Sequence, residues 1–287
     1  MARKDPQHLN RRAVVGLTAG GLAAAAAAHA FAASAETGFV WSGRPVQGGF
    51  VIGRTAPRAT VAVDGEPVGR TSGSGLFVVG FDRDAPAVAE IGAGAAERRF
   101  VIAPGVFDVQ RIDGLPEDQV TPTDPALLER IAREARLKAA AFASIEDSED
   151  FRDGFSMPFR PTRTSSSFGG QRVLNGRPQT PHYGVDLAAP VGTPIQAPAP
   201  GLVVLAEPAL HFEGGLTLID HGQGLVAAFL HQSRQMVRAG DRVTRGQPIG
   251  LVGQTGRATG PHLCWRLKWR GRNLDPSLLV DVSAPLA

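Results

Sequence analysis

The feature that most restricts the fold of this chain is a strict alternation of apolar and polar residues over residues 262–270, HLCWRLKWR. An alternation with a period of two is the pattern of a β-strand, whose successive side chains point to opposite faces of a sheet. One face of this strand carries only leucine and tryptophan, and we expect it to pack in a core. The polar face carries His262, Cys264, Arg266, Lys268 and Arg270.

The surrounding residues, 161–287, contain further apolar runs that are separated by glycine, proline or aspartate and lack helical periodicity. The runs 201–205, 216–219, 225–230 and 248–252 are strand candidates for this reason. The whole chain has 35 glycines and 22 prolines among 287 residues, which favours tight turns over long helices. We therefore expect residues 161–287 to form a mainly β, antiparallel domain.

A second β-rich segment, residues 37–111, precedes this domain. It contains short strand candidates, and Asp64-Gly65 lies between two of them as a two-residue hairpin turn. Strands at this spacing predict a small β-sandwich. The segment contains no cluster of catalytic or metal-binding residue types, so we expect it to be a binding or spacer module.

Residues 112–160 differ from both β-rich segments and predict a helical linker. Asp124 is a suitable cap and Pro125 suits the first helical position. Apolar residues then recur at helical spacing, and the amphipathic helix is expected to extend to around Ser144. The acidic residues 146–153 that follow are expected to form a solvated tail.

The first 35 residues have the layout of a signal peptide. Basic residues precede an uncharged run, 13–28, that is rich in alanine and glycine, and small-residue cleavage patterns follow it. The pair Arg11-Arg12 resembles a twin-arginine export signal, and a general secretory signal is the alternative. The run is too short and too weakly apolar for a membrane span. We expect an exported, periplasmic protein without a transmembrane anchor.

Charge and cysteine content exclude two other classes of protein. The net charge of +3 is small for this length, and no basic stripe with interleaved aromatic residues is present, so a nucleic-acid partner is not expected. Cys264 is the single cysteine, which excludes an intrachain disulfide framework.

Two clusters of residues could carry chemistry. His182 and Asp186 lie four residues apart among turn-forming residues, and imidazole and carboxylate both bind zinc; a surface histidine and a capping aspartate explain the pair equally well. Cys264 lies two residues after His262 on the polar face of one strand. It is interpreted as a metal ligand, with a passive thiol and a nucleophile paired with His262 as alternatives.

Motifs along residues 164–280 together resemble the LytM/lysostaphin-type zinc metallopeptidases, which are murein endopeptidases. The resemblance covers the carboxy-terminal domain only, and the motifs occur in the family's order. They are SFG (167–169), HYGVD (182–186), IDHG (219–222), FLH (229–231), GQPIG (246–250) and TGRATGPHLC (255–264).

The resemblance implies roles for individual residues. His182 and Asp186 would be two zinc ligands, and His231 and His262 would be the catalytic histidines. The family's third ligand is a histidine, and Cys264 stands at that position, which is a departure from the pattern.

Two further histidines are given no catalytic role. His221 matches a position near the site that the family uses for structure. His211 matches no position of the family and is expected at the surface.

The implied activity is that of an exported zinc metalloendopeptidase, which hydrolyses peptide bonds in peptidoglycan stem peptides or cross-links. Zinc would activate water with the help of the two histidines. The alternative is an inactive relative that binds peptidoglycan or activates a cell-wall amidase. The enzyme is favoured because four of the five site positions keep the family's residue. Thiolate in place of imidazole makes the zinc centre less positive, which predicts slower turnover or a more alkaline optimum.

Overall fold

The structure, a computed structural model, describes residues 38–113 and 124–286. Antiparallel strands dominate these residues, which confirms the predicted mainly β fold. The predicted signal peptide, residues 1–35, lies outside the described residues. In the part of the chain that is described, no helix has the length and apolar character needed to cross a membrane.

The amino-terminal β-rich segment contains two small antiparallel sheets. Its strands are β1 (Val40–Arg44), β2 (Phe50–Arg54), β3 (Thr60–Val63), β4 (Glu66–Arg70), β5 (Leu76–Gly80), β6 (Val88–Ala93) and β7 (Ala96–Val101). One sheet has the order β1-β2-β5 and the other has the order β4-β3-β6-β7. Apolar residues of both sheets join one buried cluster, in which the Phe39 ring lies 5.0 Å from that of Phe77.

The predicted hairpin turn at Asp64-Gly65 is confirmed. Val63 pairs with Glu66, so the turn has two residues, and both adopt positive φ, 51° at Asp64 and 81° at Gly65. Two consecutive left-handed residues form the turn whose twist matches that of the flanking strands, and aspartate and glycine tolerate this conformation best.

The predicted helix is present as α1 (Pro125–Phe142). The Asp124 side chain caps it by accepting a hydrogen bond of 3.1 Å from the backbone N–H of Ala126. The helix ends slightly earlier than predicted, and the Ser144 hydroxyl instead donates to the carboxylate of Asp220 at 2.6 Å. No residue of α1 is fully buried.

The prediction that residues 146–153 form a solvated tail is wrong. Phe151 is completely buried, and Asp150 accepts a hydrogen bond of 3.0 Å from Arg242. Glu149 accepts hydrogen bonds from the hydroxyls of Ser72 and Ser74. The prediction was based on the acidic residues of the segment. In the structure, a single phenylalanine anchors the segment, and carboxylates of the segment pair with groups distant in sequence.

The carboxy-terminal part is built on one large sheet with two smaller ones beside it. Its strands are β8 (Val109–Ile112), β9 (Arg163–Ser166), β10 (Gln171–Leu174), β11 (Arg177–Pro178), β12 (Val185–Ala188), β13 (Pro194–Gln196), β14 (Gly201–Leu210), β15 (Gly214–Asp220), β16 (Leu225–Gln232), β17 (Arg234–Gln235), β18 (Arg242–Val243), β19 (Pro248–Leu251), β20 (His262–Trp269) and β21 (Arg272–Leu274). The large sheet has the order β18-β14-β15-β16-β20-β12-β9, and β21 also pairs with β20. A short 3-10 helix, Pro276–Leu279, follows β21.

Strand β20 lies in the middle of the large sheet, between β12 and β16. Its apolar face is in the core as predicted, because Leu263, Trp265, Leu267 and Trp269 are each at most 1% exposed. This core continues into the amino-terminal sheets, since their buried residues belong to the same cluster. A second, smaller apolar cluster on the opposite face of the sheet contacts Ala141 and Phe142 near the end of α1.

Candidate metal centre

Strand pairing brings two of the three predicted metal ligands together. Asp186 on β12 pairs directly with Cys264 on β20, so their side chains leave the same face of the sheet. His182 lies in the loop before β12, where turn-forming residues bring its ring to that face. The ligand atoms of His182, Asp186 and Cys264 all lie within 4.8 Å of one another.

The individual distances fit one shared centre. Nε2 of His182 lies 3.1 Å from Oδ1 of Asp186 and 3.4 Å from Sγ of Cys264. Such spacing is suited to three atoms that face one cation, since zinc binds nitrogen, carboxylate oxygen and thiolate sulfur at about 2.0–2.3 Å.

Second contacts orient the imidazole of His182. Its Nδ1 lies 3.2 Å from the backbone carbonyl oxygen of Ser167 and 3.2 Å from the hydroxyl of Ser166. A carbonyl oxygen only accepts, so Nδ1 carries a proton and Nε2 is the ring nitrogen that faces Asp186 and Cys264. A hydrogen bond that fixes the tautomer in this way is typical of metal-binding histidines.

The carboxylate of Asp186 has a buried oxygen whose hydrogen-bonding capacity is unused. Among the described residues, no donor makes a hydrogen bond of acceptable geometry to Oδ1, although Nε2 of His262 is 3.7 Å away. Burial opposes the charged form of His182, but attraction to the nearby Asp186 and Cys264 side chains outweighs burial and raises its pKa to about 10. The centre therefore favours positive charge between these groups.

Cys264 lies on the predicted face, but that face is not solvated there. The side chain is 1% exposed and joins the second apolar cluster. The Nε–H of Arg266 donates to its sulfur at 3.4 Å. The sequence pattern had indicated an accessible polar face; Cys264 instead belongs to an apolar cluster, against which Ala141 and Phe142 near the end of α1 pack. The guanidinium places a positive charge against the sulfur.

His231 reaches the site through an unusual backbone conformation. Regular alternation would place it on the core face, because its neighbour Leu230 pairs with Cys264 on the other face. His231 instead has φ of 65°, and its ring lies 4.7 Å from that of His262. A left-handed conformation is uncommon for residues other than glycine, and such strain is concentrated at functional sites.

Both catalytic candidates present the same ring nitrogen. Nδ1 of His231 donates to the carbonyl of Thr255, and Nδ1 of His262 donates to that of Gly260, each at 2.8 Å. Each Nδ1 therefore carries a proton, and Nε2 is the ring nitrogen that is left to face the site. Burial and the neighbouring His262 lower the pKa of His231 to about 4, so this ring is neutral at neutral pH.

The two remaining histidines do not join the cluster. His221 is fully buried; its Nδ1 donates to the Pro200 carbonyl at 2.6 Å, and its ring lies 4.7 Å from Phe155. These contacts fit the predicted structural role. His211, expected at the surface, is half-buried, with its ring 4.6 Å from that of Phe212.

Sequence reasoning assigned no role to several residues that shape the site. Ser166 and Thr255 act through contacts made only after folding, and Thr255 also donates to the Gln232 carbonyl at 2.8 Å. Glu213, buried before β15, accepts from the backbone N–H of His231 through its own carbonyl at 2.8 Å. A glutamate in a loop gives no pattern from which this position could be predicted.

Comparison with known proteins agrees with this geometry. Residues 180–276 match the model of peptidase family M23. A crystal structure from Pseudomonas aeruginosa, assigned to peptidase M23, shares 31% sequence identity and superposes with a TM-score of 0.62 over 83% of this chain and 96% of that one.

Two curated relatives match the same part of the chain. The peptidoglycan DD-endopeptidase ShyA of Vibrio cholerae is 42% identical over 129 residues, which are 44% of this chain and 28% of ShyA. The DD-carboxypeptidase/endopeptidase Mpg of Neisseria meningitidis is 35% identical over 135 residues, 47% of this chain and 30% of Mpg. The chain thus spans under a third of either relative. The family model matches the residues of the site, and the Pseudomonas structure is matched over 96% of its own length. This chain belongs to peptidase family M23.

Proposed function

We propose that this protein is an exported zinc metalloendopeptidase that hydrolyses peptide bonds in peptidoglycan stem peptides or cross-links. The observation that carries the proposal is the convergence of His182, Asp186 and Cys264 within 4.8 Å, with the rings of His231 and His262 in contact beside them. The relatives that act on peptidoglycan support the substrate class.

The residues fit a zinc ion. Nitrogen, oxygen and sulfur donors form one set, Asp186 Oδ1 is buried without a hydrogen bond from any described residue, and His182 is already held in the ligand tautomer. Zinc held by these three groups would supply Lewis acidity, lowering the pKa of a bound water and polarising a carbonyl.

The two histidines supply the proton chemistry. Nε2 of His231 is free to accept a proton from the attacking water, because its Nδ1–H is held by Thr255 and its low pKa keeps the ring neutral. Nε2 of His262 faces Asp186 from the same side, where it can stabilise charge that develops on the scissile carbonyl oxygen and deliver a proton to the leaving amine. The His-Glu-x-x-His motif of other zinc peptidases is absent from the sequence.

Cysteine at the third ligand position changes the charge of the centre. Asp186 and a thiolate together cancel the charge of Zn²⁺, whereas carboxylate with two neutral imidazoles leaves one positive charge. Arg266 restores part of the lost positive potential, because its guanidinium contacts the sulfur. We therefore expect a more alkaline optimum than that of Cys264→His, and an unchanged optimum would contradict this charge argument.

The test combines metal content with cell-wall digestion. We expect purified wild-type protein to contain about one zinc per chain and to release muropeptides from isolated peptidoglycan sacculi. Cys264→Ala should lose both properties, whereas Cys264→His should keep the metal. Wild-type protein that binds zinc but releases no muropeptide would favour the alternative, a peptidoglycan-binding relative that activates a cell-wall amidase.

Export belongs to the same proposal and has its own test. Residues 1–35 are expected to direct the chain to the periplasm and to be removed there. Amino-terminal sequencing of protein from a periplasmic fraction checks this, and a mature chain that still begins at Met1 would contradict it. Replacing Arg11-Arg12 by lysines distinguishes the two export routes, since only the twin-arginine route depends on the pair.

A further inference from the structure

A cavity of about 600 Å³ lies between helix α1 and the part of β20 that follows Cys264. Small and aromatic residues of α1 line one wall, among them Phe142. The opposite wall is the polar face of β20, and Lys138 and Glu213 lie where the walls approach each other. Three cationic residues occupy the strand wall: Arg266, Lys268 and Arg270.

Of these three cations, Arg266 donates to the sulfur of Cys264, whereas Lys268 and Arg270 face the cavity. Within the described parts of the chain, none of them forms an ion pair with a carboxylate. Nζ of Lys268 lies 4.9 Å from the centre of the Phe142 ring, and the Arg270 guanidinium lies 5.9 Å from the Trp269 ring. Burial and the neighbouring Arg266 lower the pKa of Lys268. Burying cations that repel one another lowers the stability of the folded protein unless a bound anion offsets the repulsion.

The carboxylates that attract these cations from a distance are already engaged. Asp82 accepts from the backbone N–H groups of Arg83 and Asn273, and Asp220 accepts from Ser144 and from the backbone of Gly222. Neither forms a salt bridge with the strand wall. Glu213 and Asp186 attract Arg266 as well, so Lys268 and Arg270 are the cations of the cavity whose charge is least compensated.

The cavity also contains a hydrogen-bond acceptor without a partner. Glu213 is 8% exposed, and its Oε1 forms an ion pair of 2.5 Å with Lys138. No donor among the described residues reaches its buried Oε2. A ligand that suits this cavity therefore combines carboxylates for the strand wall with an N–H group for Glu213, as an acidic peptide does.

We propose that this cavity binds the free carboxylates of an acidic peptide whose scissile bond lies at the metal centre. Residues two apart on one strand face are separated by about 6.8 Å, so Arg266 and Lys268 continue the line that starts at Cys264, and Arg270 follows in the turn after β20. A peptide extended from the centre along β20 meets them in turn. The proposal rests on the peptidase activity proposed above and names the part of the substrate that the enzyme recognises.

The experiment compares two forms of one substrate, purified cross-linked muropeptide dimers and the same dimers with their carboxylates converted to amides. Lys268→Gln and Arg270→Gln are expected to raise KM for the native dimers about tenfold each and to change kcat less than about twofold, because they remove charge-assisted contacts remote from the reacting bond. For the amidated dimers, KM of the wild type should already be high, and neither substitution should raise it further.

The matched control is Arg238→Gln, which removes the same charge from a side chain that is 90% exposed and outside the cavity. Its KM should equal that of the wild type for both substrates. Equal KM values for wild type, Lys268→Gln and Arg270→Gln on native dimers would overturn the cavity proposal and leave the peptidase activity intact.

Calorimetric titration separates this proposal from the proposed activity. If the wild type cleaves neither substrate, the activity proposal fails; tighter binding of native than of amidated dimers, lost in Lys268→Gln, would still support the cavity. Binding without that preference would refute it.

Discussion

The two faces of strand β20 carry different kinds of residue: one face packs in the core, and the other forms part of the candidate site. The core face holds leucine and tryptophan side chains that are at most 1% exposed and join the core cluster. The other face begins at the metal centre with His262 and Cys264 and continues into a cavity with uncompensated cations. One strand thus fixes both the fold and the site.

The difference shows how a rigid scaffold supports a destabilising site. Apolar burial on the core face stabilises β20 by roughly 25 cal/mol per Å² of buried apolar surface. On the other face, the positive charges of Arg266 and Lys268 lie near one another. Beside it, at the end of β16, His231 has a strained backbone with positive φ. Substitutions on the two faces should therefore separate activity from stability.

The largest effect is expected from His262→Ala on the site face. Loss of a positioned acid–base group should reduce peptide hydrolysis roughly 10²- to 10⁴-fold, while the urea midpoint changes little. Hydrolysis of muropeptide dimers at saturating zinc measures the effect. His211→Ala removes a histidine outside the cluster and should keep full activity; an equal loss in both variants would mean that the cluster has no special role.

The neighbouring residue tests the core face. Leu263→Ala empties a completely buried position and should lower the free energy of unfolding by about 2–5 kcal/mol. Activity per folded molecule should stay near that of the wild type below the unfolding transition. Urea denaturation followed by tryptophan fluorescence checks this. A loss of activity without a loss of stability would break the division between the faces.

A pH dependence is expected from His221, which packs on the core side against Phe155. Burial lowers its pKa from 6.5 to about 4, so the unfolded state binds the proton more readily. Its contribution is complete above about pH 6.5 and is lost as the pH falls towards 4, by about 3 kcal/mol in all. Urea midpoints between pH 7 and 4.5 should fall less steeply in His221→Gln. Parallel curves would contradict this assignment.

The smallest effect is expected at the helix that covers the site face. Asp124→Ala removes the cap of α1 and should cost about 1 kcal/mol. Hydrogen exchange should accelerate in α1 and remain slow in β20. Asp124→Ser keeps a capping oxygen and serves as the control. Faster exchange throughout the large sheet would show that loss of the cap destabilises the core as well as the helix.

Much of the fold followed from local patterns in the sequence. Alternation in residues 262–270 predicted β20 and its buried face, and Asp64-Gly65 predicted a two-residue hairpin. Asp124 and Pro125 marked the start of α1. Each of these features depends on neighbouring residues, which is why sequence alone reveals them.

Features that depend on distant contacts were not predictable. The anchoring of residues 146–153 depends on Phe151 and on pairing with Arg242, and the burial of Cys264 depends on an apolar cluster assembled from several strands. Family resemblance indicated the five candidate site residues, and their convergence agrees with it. The cavity and the free oxygen of Glu213 arise from tertiary packing alone.

The pairing of Asp186 with Cys264 has a consequence for folding. A slip of β12 by one residue would place Val185 opposite the sulfur and turn the carboxylate towards Leu263 in the core. A misaligned chain would therefore lack a ligand and bury an unpaired charge. A divalent ion added during refolding would bind aligned chains preferentially, so the yield of native protein from denaturant should rise with ion concentration.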